Sequence, residues 1–252
     1  MPEQLKELEK YWSGRAEGYS AVNQEELAGE QHQKWLHYLQ NRFPDKAPEQ
    51  VSVLDIGTGP GFFAIILAEA GYHVTAVDYT AAMLKQARRN AGVLSDSITW
   101  KIMDAQNLDF EDNTFDVIVS RNLTWNLDEP EKAYAQWLRV LKPGGTLLNF
   151  DANWYGYLFD EEKRLLYETD RANVASLNLE DQYTCTDITA MEALAKNMPL
   201  SRISRPDWDR AVLTKLGASS VYIEEDIGDQ VYSFMERINY AATPLFCVQA
   251  FK

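Results

Sequence analysis

Cysteine is scarce in this chain of 252 residues: Cys185 and Cys247 are the only two. They are too few for a disulfide framework or a four-cysteine zinc site, so both are expected to be inert packing residues in a reducing compartment. Histidine is limited to His32, His37 and His73, and no His, Cys or carboxylate spacing suggests a metal. Basic charge is also short. Lys plus Arg number 24 against 38 Asp plus Glu, a formal charge of −14, which argues against duplex nucleic acid and anionic membranes as partners. No apolar run approaches the ~20 residues of a membrane span, and the opening MPEQLKELEKYW lacks a basic stretch followed by an apolar one. A soluble cytoplasmic protein is expected, its state open between monomer and homodimer.

What is present suits a folded domain. The chain is 46% hydrophobic and 25% charged, and at this length it should bury roughly 70–75% of its unfolded surface. From Pro2 to about Arg42, Leu5, Leu8, Trp12, Leu27, Trp35, Leu36 and Leu39 recur at helical spacing, interrupted by Gly14, Gly18 and Gly29. Pro44 and Pro48 then mark a linker. At Val51 the rhythm changes to strand (Val51–Ile56), glycine loop, helix (about Gly61–Ala70) and strand (His73–Asp78), one βαβ unit. The alternation continues through a helix over 81–91 with Thr80 as N-cap and strands over 98–103 and 115–120. A helix announced by Asp128, Pro130 and Glu131 follows, then a strand over 146–150 after Lys142-Pro143-Gly144-Gly145. Such alternation implies a parallel sheet covered on both faces, an α/β doubly wound architecture. After Asp151 it fails for about 55 residues, too many for a plain loop, so 153–205 reads as a helical insertion with helices over 160–177 and 188–197. It resumes with a helix over 206–216 and strands over 220–224 and 245–251. The division expected is a helical lid (1–50), a sheet domain (51–152 and 206–252) and a cap (153–205).

Three strand ends carry the chemistry. The loop Asp55-Ile56-Gly57-Thr58-Gly59-Pro60-Gly61 follows a buried strand and opens a helix, where missing β-carbons let a ligand lie against backbone; a plain tight turn is the alternative. A nicotinamide fingerprint would need a third glycine at 62, which is Phe62. Asp78 ends the second strand, where a carboxylate can accept from two ribose hydroxyls or merely cap the next helix. Asp104 follows the third, where it can accept from an adenine amine with Ala105 offering backbone, although Asp109, Glu111 and Asp112 also suit a solvated acidic loop. Together they describe an adenosine-shaped site at the carboxyl edge of a parallel sheet.

These residues, in VLDIGTGPGFFAIILAEAG, VTAVDYTAAML, ITWKIMDAQNLDFEDNTFDVIVSRN and WLRVLKPGGTLL, resemble the class I S-adenosylmethionine-dependent methyltransferases, especially their small-molecule, ubiquinone-biosynthesis-like branch. The resemblance spans about Val51 to Asp151. It implies a Rossmann-like seven-stranded sheet with an antiparallel last strand. It further implies that Asp55, Gly57, Thr58, Gly59 and Gly61 cradle the methionine end of S-adenosylmethionine (S-adenosylhomocysteine after transfer). Asp78 would hold the ribose and Asp104 with Ala105 the adenine, and Tyr79 is a further cofactor-binding candidate. Tyr11 to Tyr19 looks like the family's N-terminal signature, a lid from which Arg15 or Tyr19 would meet the cofactor carboxylate.

Asn122 stands where members of the family face the transferring methyl, either on the cofactor ammonium or orienting substrate. Trp125 could wall either one, and capping of the next helix competes as an account of this loop. Trp154, Tyr155 and Tyr157 would enclose a small acceptor, and Asp151 or a cap tyrosine is the base available if one is needed. A histidine base is not evident. The Asp/Asn-Pro-Pro-Tyr/Phe tetrapeptide of nucleic-acid and glutamine nitrogen methylases is missing, as is the cysteine set of an arsenite methyltransferase. The function expected is methyl transfer to a small molecule. A non-catalytic cofactor-binding sensor or interaction module is the alternative, and a nicotinamide oxidoreductase is disfavoured by the glycine spacing.

Overall fold

A computed structural model describes the chain except for Met1, Pro2, Thr184, Cys185 and the side chains of Glu3 and Gln4. The expectation for Cys185 therefore lies outside the described residues, whereas Cys247 is a buried free thiol. In chain order the elements are α1 (Glu3–Ala28), α2 (Glu30–Gln40), β1 (Ser52–Ile56), α3 (Phe62–Glu69), β2 (His73–Asp78), α4 (Ala81–Ala91), β3 (Thr99–Ile102) and β4 (Phe115–Arg121). There follow α5 (Pro130–Val140), β5 (Leu141–Asp151), α6 (Glu161–Ser176), α7 (Ile188–Ala195), α8 (Asp207–Lys215), β6 (Ser220–Glu224), α9 (Gly228–Val231), α10 (Phe234–Asn239) and β7 (Phe246–Phe251).

The seven strands form one sheet in the order β3-β2-β1-β4-β5-β7-β6. β7 runs antiparallel to both neighbours, and the pairs among β1 to β5 are parallel. Successive side chains of a strand point to opposite faces, and here both faces are covered. Val53, Val117 and Val119 join Trp35, Leu39 and Phe63 in one core, while Leu54, Ile118 and Leu147 join Tyr134, Trp137 and Leu213 in the other. Burial on both sides explains the apolar runs without polar alternation. Because β1 pairs with both β2 and β4, the chain reverses direction across the sheet there, and ligands of such sheets bind beyond the strands' carboxyl ends at that switch point.

Several expectations are corrected. Gly14 and Gly18 lie inside an unbroken 26-residue α1, and the break falls at Gly29 alone. A mid-helix glycine costs about 1 kcal/mol, which burial of one α1 face against the body offsets. α5 begins at Pro130 with Glu129 at its cap position, not Asp128, and no side chain caps it. β5 starts at Leu141 rather than Thr146: a register shift between Phe115 and Val117 lets it pair across the Pro-Gly-Gly segment, and Gly145 is required because a Cβ there would lie 2.9 Å from the Asp116 carbonyl. α9 and α10 were not foreseen, although Ser233 and Glu236 form a full capping box.

Candidate functional site

The strand ends and α1 enclose a cavity of about 1610 Å³, its open mouth included. Its floor is the loop after β1. Gly57, Gly59 and Gly61 all have positive φ (69°, 51° and 96°). A Cβ on Gly57 would meet Leu123 Cδ2 at 2.7 Å, so any other residue there would push the Leu123 side chain aside as well as strain the left-handed backbone. The loop is tied down from within: the Gly57 and Thr58 amides donate to the Val77 carbonyl (2.9 and 3.0 Å), and the Gly59 amide donates to Asp78 Oδ2 (2.9 Å).

Asp55 faces the cavity but anchors the loop. Its Oδ2 accepts from Thr58 Oγ1 (2.6 Å) and from the Ala64 amide (3.1 Å), taking one orphan donor at the start of α3. Burial pushes its carboxyl up to about 7 against the pull of those bonds. Asp78 accepts from Gly59 with one oxygen and from the Thr80 amide (2.8 Å) with the other, and burial raises its pKa too. Thr80 does occupy the N-cap of α4, without a side-chain cap bond. Asp104 Oδ1 accepts from the Gln106 amide (2.9 Å), and the Ala105 carbonyl accepts from Trp137 Nε1 (2.9 Å). Asp78, Tyr79, Asp104 and Ala105 all line the cavity.

Asn122 sits in the left-handed region (φ 57°) at the end of β4. Its amide N–H donates to the Phe150 carbonyl (2.8 Å), and its Oδ1 is buried without a hydrogen-bond partner. Asp128 Oδ1, also lining the cavity, is a second such acceptor. Buried acceptors are rarely left unpaired, so both mark places where a ligand donor would be taken.

α1 roofs the cavity with one face: Leu5, Leu8, Trp12, Arg15, Tyr19 and Asn23 recur at spacings of three and four and all line it. Trp12 is part of the wall. Below, Arg121 at the end of β4 makes a bidentate ion pair with Glu26 of α1 (2.8 and 2.9 Å), and its guanidinium lies 4.7 Å from the Phe62 ring centroid. Sequence reasoning missed this anchor, although the alternation of β4 carries directly to Arg121.

Trp125, Trp154 and Tyr155 line the cavity, joined by Tyr11, Tyr183 and Tyr240. Three residues depart from their expected roles. Gly61 does not line the cavity; it lets α3 approach α4, since a Cβ would stand 3.0 Å from Ala87 Cβ. Tyr157 is buried behind the wall, donating to Glu192 (2.8 Å) and stacked on Tyr167 at 4.1 Å. Asp151, the candidate base, is fully buried outside the cavity. It accepts from the Trp125 amide, the Ala152 amide, Trp154 Nε1 and Arg205 Nη1 (2.6–3.0 Å). With both oxygens doubly engaged it has no capacity for a substrate proton; it positions the two tryptophans instead.

The methyltransferase-domain family matches residues 54–149, the stretch that supplies the switch point and its three acidic and glycine-bearing strand ends. A ubiquinone/menaquinone biosynthesis C-methyltransferase of Desulfotalea psychrophila is 32% identical over 146 residues, 57% of each chain. A demethylmenaquinone methyltransferase of Renibacterium salmoninarum is 40% identical over 96 residues, 38% of this chain and 39% of that one. The chain thus spans about half the length of the curated relatives it matches. Among solved structures, a Methanococcus maripaludis protein assigned as an S-adenosyl-L-methionine-dependent methyltransferase superposes with a TM-score of 0.62 at 23% identity, covering 95% of this chain and 93% of that one. Residues 54–149 thus match the methyltransferase-domain family, and over the whole chain the fold is similar to that of the Methanococcus maripaludis protein.

Proposed function

We propose that the protein transfers a methyl group from S-adenosylmethionine to a small-molecule acceptor. The observation that carries this reading is the convergence of the β1 glycine loop, Asp78 and Asp104 on one cavity at the switch point. The donor set fits the nucleoside: two carboxylates at neighbouring strand ends suit ribose hydroxyls and an adenine amine, and Asn122 Oδ1, an unpaired buried acceptor, suits the α-ammonium. Arg15 and Tyr19 on α1 would meet the carboxylate, with Gly57, Thr58 and Gly59 beneath. When bound, S-adenosylmethionine supplies an activated methyl on a sulfonium.

The protein's part is alignment and dryness. The bed beneath is rigid because its amides are paired internally, and α1 covers it, pinned at its far end by Glu26 and Arg121. Thermal-shift titration checks the reading. Melting should rise with S-adenosylmethionine or S-adenosylhomocysteine concentration by linkage and not with NAD; a shift with NAD alone would refute it.

A further inference from the structure

The acceptor end of the cavity has a chemistry of its own. Two groups of rings face it: Trp125 against Tyr155 (centroids 4.8 Å apart), and Trp154 against Tyr240 (5.2 Å), which in turn meets Tyr183 (5.6 Å). Among the described residues the cavity is lined by five carboxylates, Glu9, Asp55, Asp78, Asp104 and Asp128, and by two cations, Arg15 and Arg121. Arg121 is already neutralised by Glu26, and Arg15 is the residue assigned above to the cofactor carboxylate. Nothing cationic is left over for a phosphate or carboxylate on the acceptor. Behind the rings stand a carboxylate, Glu192, bonded to Tyr157, and the Arg171 guanidinium, 4.7 Å from the Tyr183 ring centroid and paired with Asp181.

Resting on the methyltransferase reading, we propose that the acceptor is an amine, held by its ammonium form against these aromatic faces. Ring faces carry negative potential and attract a cation most strongly where water is excluded. Reactivity points the same way. Burial holds the Tyr155 and Tyr183 hydroxyls protonated, and Asp151 is fully engaged, so neither these tyrosines nor Asp151 supplies a base for an alcohol or phenol. An amine brings its own lone pair. The apolar enclosure lowers the ammonium pKa and the proton leaves to solvent. The lone pair forms the N–C bond as the C–S bond breaks with its pair passing to sulfur. One positive charge moves from sulfur to nitrogen and is never annihilated, so the rings stabilise it throughout.

Calorimetry in saturating S-adenosylhomocysteine tests this with choline, its neutral isostere 3,3-dimethylbutan-1-ol, and phosphocholine as probes. Choline should bind about tenfold tighter than the neutral alcohol, with phosphocholine weaker than choline. Tyr155→Leu, which keeps apolar bulk but removes one π face, should reduce the charge preference, and Tyr155→Phe should retain it. Choline that fails to bind, an alcohol that binds as well, or a preference for phosphocholine overturns the amine acceptor while leaving the cofactor site intact. Failure of S-adenosylhomocysteine itself to bind would instead refute the methyltransferase reading beneath it.

Discussion

Asp78 uses both carboxylate oxygens within the protein, on the Gly59 and Thr80 amides, yet it faces the cavity and each oxygen has a second lone pair to offer. Removing it with Asp78→Ala should weaken S-adenosylhomocysteine binding by about 1.5–3 kcal/mol, as charged hydrogen bonds do, measured by calorimetry; unchanged affinity would reduce Asp78 to a brace for the loop. Asp55 is held up to about 7 by burial. A carboxyl whose folded pKa lies above its unfolded value binds more protons in the native state across the interval between them. Stability there falls as pH rises, from about 4 to about 7. Asp55→Asn keeps an acceptor for Thr58 and Ala64 and cannot titrate. Its stability should therefore decline less over that window than wild type, by up to about 1 kcal/mol per pH unit in denaturant melts. Equal slopes would show that Asp55 does not titrate there. Asp151 separates structure from catalysis: with Arg205 and Asp209 it forms a network at or below 1% side-chain exposure. Asp151→Ala should cost about 3–5 kcal/mol of stability and leave the pH profile of any residual turnover unaltered; loss of a titrating limb from that profile would restore it as a base.

At the scale of elements, legibility followed periodicity and local chemistry. β2, α4 and β6 match the residues expected of them because His73–Asp78 and Ser220–Glu224 are short runs bounded by turn residues and Ala81–Ala91 sits between Thr80 and Gly92. The glycine loop, Asp78 and Asp104 were legible for the same reason: each follows directly on a strand whose end could be read. Long-range partners were not. Nothing local to Asp151 announces Arg205, 54 residues on, and nothing local to Arg121 announces Glu26, 95 residues away. Tyr157 looked like Tyr155 in sequence, and only the turn at Gly156–Leu158 sends one ring into the cavity and the other behind it. α1 shows the converse. Its glycines suggested interruption, but Gly14 has open space where a Cβ would stand, and the helix persists through contacts elsewhere on its length. A helix anchored at one end and adjoining Gly29 has a place to swing. Limited proteolysis within 1–29 should slow when S-adenosylhomocysteine is added; a cleavage rate indifferent to it would show that α1 does not close on the ligand.

For the molecule as a whole, the question is where the roof ends and the body begins. Composition put the boundary near residue 50, after both N-terminal helices. The packing assigns them differently. α2 belongs to the sheet's own core: Trp35 and Leu39 are fully buried, and the Trp35 ring stands 5.0 Å from both Phe63 and Phe150. α1 touches the body through the cavity-lining stripe, through the Glu26–Arg121 pair and through hydrogen bonds that join Ser20 and Gln24 to Asn90 of α4. Two truncations should therefore differ sharply. Removing residues 1–28 uncovers the Arg121 guanidinium to water, which solvates it in place of Glu26, so the remainder should fold with modestly lowered melting temperature while losing most of its cofactor affinity. Removing residues 1–40 strips Trp35, Tyr38 and Leu39 from the core, and loss of buried side chains of that size costs about 3–5 kcal/mol for a single tryptophan. That is comparable with much of a domain's total stability of about 5–15 kcal/mol, so the shorter fragment should melt far lower or fail to fold. Scanning calorimetry of the two fragments decides the matter: equal loss of stability on both cuts would return the boundary to residue 50 and make the two helices one unit.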